Sequence, residues 1–173
     1  KNRLNIAADI YWRNNFDLIG AAYTIGGTRW GNVASMKSHG FELSVSTKNI
    51  QSKDFSWTTD FIFGSTFNKV TELDTKRNMF NFLTGNGFAR QGYPVRSLFS
   101  IPFTGLDDEG FPTFMVNGKE VTRRNYRDIN FQQVDDLDFL KYEGSSEPTY
   151  NGSFGNIFTF KNFKLNVFIT YSG

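Results

Sequence analysis

Residues 3–12 alternate between apolar and polar side chains: Leu4, Ile6, Ala8, Ile10 and Trp12 fall on one side, Arg3, Asn5, Asp9 and Tyr11 mainly on the other. The same period of two returns along the chain. Phe41, Leu43 and Val45 alternate with Glu42, Ser44 and Ser46. Phe55, Trp57, Thr59, Phe61, Phe63 and Phe67 oppose Ser56, Thr58, Asp60, Gly64, Thr66 and Asn68. Near the end, Phe163, Leu165, Val167, Ile169 and Tyr171 oppose Lys164, Asn166 and Thr170. Successive side chains of an extended chain point to opposite faces, so each run predicts a strand with one apolar and one polar face.

The connections are of two kinds. Asn49-Ile50-Gln51-Ser52-Lys53-Asp54 is a short link, and Lys161-Asn162 predicts a tight hairpin between 156–160 and 163–171. Between Val70 and Tyr150, by contrast, lie roughly 80 residues, far beyond ordinary loop lengths. Short turns on one side and long loops on the other are the habit of outer-membrane barrels. The apolar runs also match the roughly 9–11 residues with which a tilted strand crosses a bilayer. A soluble β-sandwich alternates in the same way and, as the commoner architecture, leads slightly on alternation alone; two further details bring the two to parity. Bulky aromatics close to the turns (Trp12, Phe16, Phe55, Trp57, Phe160, Phe163) speak for the barrel, placed as an interfacial girdle would be. So do Asp9, Arg13, Glu42 and Asp60 on the opposite faces, candidates to face a wet lumen.

The long segment carries structure of its own. The stretch 92–103 reads as extended and edge-like because of Pro94 and Pro102, and 105–112 as turn chemistry. Residues 113–116 and 119–122 predict a small hairpin across Asn117-Gly118. The stretch 135–142 reads as a short helical turn. The block 71–149 is expected to be one long extracellular loop region, where ligand contacts are usual. Its aromatics Tyr93, Phe99, Phe103, Phe111, Phe114 and Tyr126 are candidates to contact substrate.

Composition supports extended structure: 17% aromatics with 20 Phe, and 16 Gly. A formal charge of +2 with scattered basic residues gives no reason to expect nucleic acid. The absence of Cys removes disulfides, thiolate catalysis and Cys-based metal sites. No stretch approaches the roughly 20 apolar residues of a membrane helix. Lys1-Asn2-Arg3 is already strand-like, so the sequence is expected to start inside a longer protein.

Three stretches resemble the SusC/RagA family of TonB-dependent outer-membrane transporters. Ala34-Ser35-Met36-Lys37-Ser38-His39-Gly40-Phe41-Glu42-Leu43 is similar to the barrel segment where small residues, then Gly, Ile or Phe, and Glu open a strand. It runs on through Ser46-Thr47-Lys48-Asn49-Ile50 and Asp54-Phe55-Ser56-Trp57-Thr58-Thr59-Asp60-Phe61 to Asn68-Lys69-Val70-Thr71-Glu72-Leu73. Gly92-Tyr93-Pro94-Val95-Arg96-Ser97-Leu98-Phe99 resembles a second family stretch, with Arg96 where Gly is usual. Glu147-Pro148-Thr149-Tyr150-Asn151-Gly152-Ser153-Phe154-Gly155-Asn156, followed by Phe160-Lys161-Asn162-Phe163-Lys164-Leu165, resembles a third. One departure matters: Val116-Asn117-Gly118-Lys119-Glu120 stands where many members carry paired acids, so no cation site is carried over.

The resemblance implies that residues 1–173 are a C-terminal barrel segment of an all-β protein, with antiparallel strands forming part of a 22-stranded transmembrane β-barrel around a plug. It implies a receptor in the outer membrane of a Gram-negative bacterium that imports oligosaccharides or peptides. The implied partners are a SusD-like surface lipoprotein, TonB acting through parts outside these residues, and outer-membrane lipid. The alternative from another class is a secreted or surface β-sandwich that binds carbohydrate. No enzyme activity, cofactor or metal is expected. Asp107-Asp108-Glu109 and Asp135, Asp136 and Asp138 raise a glycosidase reading, but such acids serve turns and solvated surfaces more often. His39 has no second His or Cys to share a metal with.

Overall fold

The structure, a computed structural model, describes residues 3–24, 27–75, 77–85, 87–132 and 136–173. Its main element is an antiparallel sheet of five strands in the order β1-β2-β3-β9-β10. These are β1 (Leu4–Thr24), β2 (Gly27–Gln51), β3 (Phe55–Leu73), β9 (Tyr150–Phe160) and β10 (Phe163–Ser172). Between β3 and β9 lie a short helix α1 (Met79–Leu83), β4 (Ser97–Ser100), β5 (Phe103–Leu106), β6 (Pro112–Val116), β7 (Lys119–Val121) and β8 (Lys141–Ser145). Strands β4 and β8 form one small sheet and β5-β6-β7 another.

The all-β fold follows the alternation, and both short connections form as expected. The β9–β10 hairpin closes across Lys161-Asn162 with Phe160 opposite Phe163, Lys161 taking a φ of 51°. The Asn117-Gly118 turn has both residues at positive φ (49° and 73°), the geometry that matches strand twist in a two-residue hairpin. Strand length is where the sequence misleads. β1, β2 and β3 run for 21, 25 and 19 residues, well beyond their alternating cores. A strand lasts as long as a neighbour supplies hydrogen bonds, whereas alternation lasts only while one face meets an apolar medium.

Two local readings are corrected. Residues 136–142 form no helix: Leu140 N–H donates to the Leu137 carbonyl in a single turn (3.1 Å) and the chain then enters β8. The helix lies instead at α1, where Asn78 and Asn81 cap each other reciprocally, Asn81 N to Asn78 Oδ1 at 3.1 Å and Asn78 N to Asn81 Oδ1 at 3.3 Å. Nor is 92–103 one extended stretch. Gly92 takes a φ of 90° in a turn, β4 pairs with β8, and Phe103 pairs with β6.

The chain divides into two compact units. The first comprises residues 1–14, 37–68 and 147–173. Its register places Phe55 opposite Phe160 and Phe160 opposite Phe163, so the aromatics at the short turns form one row. Leu4, Ile6, Ile10, Trp12, Leu165, Val167 and Ile169 are all exposed on the apolar face. A sandwich would cover that face with a second sheet; here it is bare. Polar groups on this face satisfy one another in a chain. Trp57 Nε1 and Thr59 Oγ1 donate to Asn156 Oδ1 (2.9 and 2.8 Å), and Asn49 Nδ2 donates to Thr59 Oγ1 (2.6 Å). The polar face carries two glycines covered by aromatic rings. Tyr11 lies over Gly40 and Phe168 over Gly155, rings filling the space that a Cβ would need.

The second unit comprises residues 15–36 and 69–146. It has a core facing inward: Met79, Phe82, Phe99, Leu137 and Leu140, flanked by Leu83, Phe88, Tyr93, Ile101, Ile129 and Phe139. Phe99 meets Phe82 and Tyr93 edge-on, with ring centroids 5.5 and 5.2 Å apart. Arg90 stacks over Tyr93 and Phe99 and pairs with Asp138.

Candidate functional site

The strongest candidate in the second unit is an apolar hollow built on the β5-β6-β7 sheet. The Asn117-Gly118 turn sets the β6–β7 pairing, putting Phe114 opposite Val121. Thr104 and Thr113 share a hydroxyl hydrogen bond (2.8 Å) that locks β5 to β6. Asp107 closes the intervening turn, its Oδ1 accepting from Glu109 N (3.0 Å) and Phe111 N (2.9 Å). After β7, Asn125 Oδ1 accepts from Thr122 N (2.6 Å) and turns the chain into a short 3₁₀ segment, Tyr126–Asp128.

These elements enclose about 410 Å³ lined by Ile101, Phe111, Pro112, Phe114, Val121, Thr122, Arg123, Tyr126, Ile129 and Phe131. That is the lower part of the range for small-molecule pockets. The lining is mainly apolar, with Thr122, the Tyr126 hydroxyl and Arg123 as its polar groups; the Arg123 guanidinium sits 4.3 Å above the Phe111 ring and 3.4 Å from Glu109 Oε2. Arg124 reaches the same carboxylate at 3.7 Å.

The aromatic candidates separate accordingly. Phe111, Phe114 and Tyr126 line the hollow, and Phe103 packs edge-on against Phe114 (6.2 Å) while remaining exposed. Phe99 and Tyr93 belong to the inward core. Sequence reasoning missed Ile101, Val121, Ile129, Phe131 and Arg123. The alternation of Phe114 and Val121 across Asn117-Gly118 was a usable signal; nothing local marks Ile129 or Phe131.

The acidic groups have structural occupations. Asp107 holds its turn and Glu109 pairs with two arginines. Asp138 pairs with Arg90, and Asp135 lies outside the described residues. A polar hollow of about 330 Å³ is lined by Asp17, Ser35, Glu72, Asp74 and Gln91 among others, with Ser35 Oγ donating to Glu72 (2.9 Å). Among the described residues no cluster of His, Cys, Asp and Glu suits a metal ion. His39 stacks on Phe67 at 5.5 Å. Among the described residues one carboxyl is perturbed: hydrogen bonds from Ser100 and then Lys141 hold Glu143 below the usual carboxylate range.

In the first unit, Asp9, Arg13, Glu42 and Asp60 share one face. Tyr11 fixes this: its ring covers Gly40, its hydroxyl meets Thr66 Oγ1 (2.7 Å), and Arg13 stacks on it at 4.5 Å. Asp9 and Arg13 have the parity of Tyr11, Glu42 that of Gly40, and Asp60 that of Thr66.

No family model matches the sequence. Among curated proteins it is similar to TonB-dependent receptor P3 of Formosa agariphila, 25% identical over 99% of this chain and 19% of that protein. TonB-dependent receptor P39 of the same organism is 28% identical over 61% of this chain and 10% of that protein. The chain thus spans about a fifth or less of the length of these relatives. Among solved structures, the RagAB peptide transporter matches with a TM-score of 0.74 at 23% identity, over 99% of this chain and 19% of that one. The RagAB peptide importer in its closed-closed state matches with the same TM-score at 24% identity. At such identity the likeness establishes the fold, an antiparallel sheet that follows the wall of a transporter barrel. The three sequence stretches, the two-faced sheet and an alignment over 99% of this chain agree in the same likeness, to TonB-dependent receptors of the SusC/RagA type.

Proposed function

We propose that this chain forms part of the wall and one extracellular loop region of an outer-membrane importer of large nutrients in a Gram-negative bacterium. The observation that carries the reading is the two-faced sheet: one face apolar and bare, the other mainly polar. A bare apolar face costs little in lipid and much in water. The first unit then crosses the membrane with Val167 and Ile169 toward lipid and with Asp9, Arg13, Glu42 and Asp60 toward the lumen. Residues 71–149 lie outside. The whole receptor is a 22-stranded barrel with an internal plug, opened by TonB and served by a SusD-like lipoprotein. The names of the relatives and the RagAB fold support this.

Within the loop region, Phe111, Phe114 and Tyr126 contact cargo, with Phe103 beside them. Of the two cargo classes, peptide suits the hollow better than oligosaccharide. A sugar ring brings several hydroxyls that need partners, and the described lining offers Thr122, Arg123 and the Tyr126 hydroxyl. An apolar side chain needs none. The test is to fractionate cells that express the whole receptor and run it with and without boiling. A large outer-membrane band that migrates faster unboiled is expected. A soluble band of about 20 kDa (19.8 kDa from the sequence) would overturn the reading.

A further inference from the structure

Among the described residues lining the hollow on β5-β6-β7, Arg123 alone is charged. Its guanidinium stands 4.3 Å above the ring of Phe111, itself a lining residue, and its side chain is 60% exposed. A guanidinium over an aromatic face still carries its N–H groups around its edge, free to meet a carboxylate with two parallel bonds. A second cation, Arg127, stands over the Tyr126 ring at 5.9 Å, so two of the lining aromatics each carry a guanidinium.

The acids nearby leave Arg123 loosely engaged. Glu109 lies 3.4 Å from it and is shared with Arg124, 3.7 Å away on the other carboxylate oxygen. A tight charge-assisted bond is shorter, about 2.7–2.9 Å. Asp107 is committed to its own turn, where Oδ1 accepts from Glu109 N and Phe111 N. The hollow thus offers apolar walls and, at its edge, a cation able to exchange one carboxylate for another.

We propose that the hollow takes the C-terminal residue of a peptide, with its apolar side chain inside and its free α-carboxylate on Arg123. Glu109 then gives up Arg123 and keeps Arg124. The inference rests on the peptide reading of the hollow and adds which end of the peptide it selects. The C-terminal placement follows from distance. Arg123 stands on a ring of the lining, so its partner must lie beside the group that fills the hollow. An α-carboxylate shares its Cα with that side chain. An acidic side chain on the next residue of an extended peptide points to the opposite face, and one two residues away is displaced by about 7 Å.

The test measures binding to the purified whole receptor by isothermal titration calorimetry. Three probes are used: a short Gly/Ser peptide ending in Phe as the free acid, the same peptide as its C-terminal amide, and an amide in which Asp follows the Phe. The free acid is expected to bind about tenfold or more tightly than either amide. Arg123→Gln should close that gap by weakening the acid alone, and Arg123→Lys should restore part of it. Glu109→Gln should tighten the acid and leave the amides unchanged, because it releases Arg123. A contact that merely fastened the 105–112 turn would not have that sign, so this variant decides even if Arg123→Gln fails to fold. Hydrogen exchange should show protection within 111–127 that appears with the acid and not with its amide. Equal affinity for acid and amide, or a gap that survives Arg123→Gln, would overturn the inference and leave the peptide reading standing. So would tight binding of the Asp amide, which would move the selected carboxylate away from the chain end. If no peptide binds, the peptide reading falls as well.

Discussion

Phe163 in β10 and Phe99 in β4 are the same side chain in opposite circumstances: 79% and 6% exposed, respectively. The contrast extends to the units that hold them. In the first, Leu4, Ile10, Trp12, Val167 and Ile169 stand outward on a single sheet. In the second, Met79, Phe82, Phe99, Leu137 and Leu140 turn inward around a small core. Water drives apolar groups together wherever it surrounds them, so the second unit has the arrangement of an aqueous domain. A sheet that leaves its apolar face bare is suited to hydrocarbon, where exposure is the low-energy state. On the proposed reading two media, not two amino-acid vocabularies, account for the difference.

The largest effect expected from breaking this contrast is in the aqueous core. Phe99→Ala empties the contact among Phe82, Tyr93 and Tyr142 and should cost about 3–5 kcal/mol. Hydrogen exchange in the whole receptor would show it as lost protection within 69–146, with the strands of the first unit unaffected.

The next largest is a comparison of neighbours in β10. Val167→Arg puts a charge at the middle of the apolar run and should cost about 2–4 kcal/mol in refolding into lipid vesicles. Asn166→Arg, one residue away on the polar face, should cost little. Equal losses would mean that the two faces do not meet different media.

A smaller loss is expected at the polar chain on the apolar face. Asn156→Val leaves the Trp57 Nε1–H and the Thr59 hydroxyl without their acceptor, about 1–3 kcal/mol by the same refolding measurement. In lipid no water replaces the lost partner.

The smallest is a pH effect in the second unit. Glu143 accepts from Ser100 Oγ (2.6 Å) and Lys141 Nζ (3.1 Å), which lowers its folded pKa. Its contribution is present above the unfolded carboxylate value and is lost as pH falls through the folded one. A titration of the side-chain carboxyl should give a midpoint below the ordinary Glu value, and Ser100→Ala should raise it.

Much of this was legible in the sequence. The period of two placed Asp9, Arg13, Glu42 and Asp60 on one face, because alternation is a property of the extended backbone itself. Lys161-Asn162 and Asn117-Gly118 announced their hairpins because turn conformations are local. The capping pair Asn78 and Asn81 was an available signal for α1, overlooked because Asn replaces the usual Ser or Thr and Glu or Gln.

What tertiary structure decided were the properties that depend on a distant partner. The lengths of β1, β2 and β3 follow from neighbours that continue to offer hydrogen bonds after the alternation ends. The division of the loop aromatics between core and hollow follows from which chain segments return to cover Phe99 and leave Phe111, Phe114 and Tyr126 open. The opposition of Phe55 to Phe160 is set by a register between strands, which no single strand encodes.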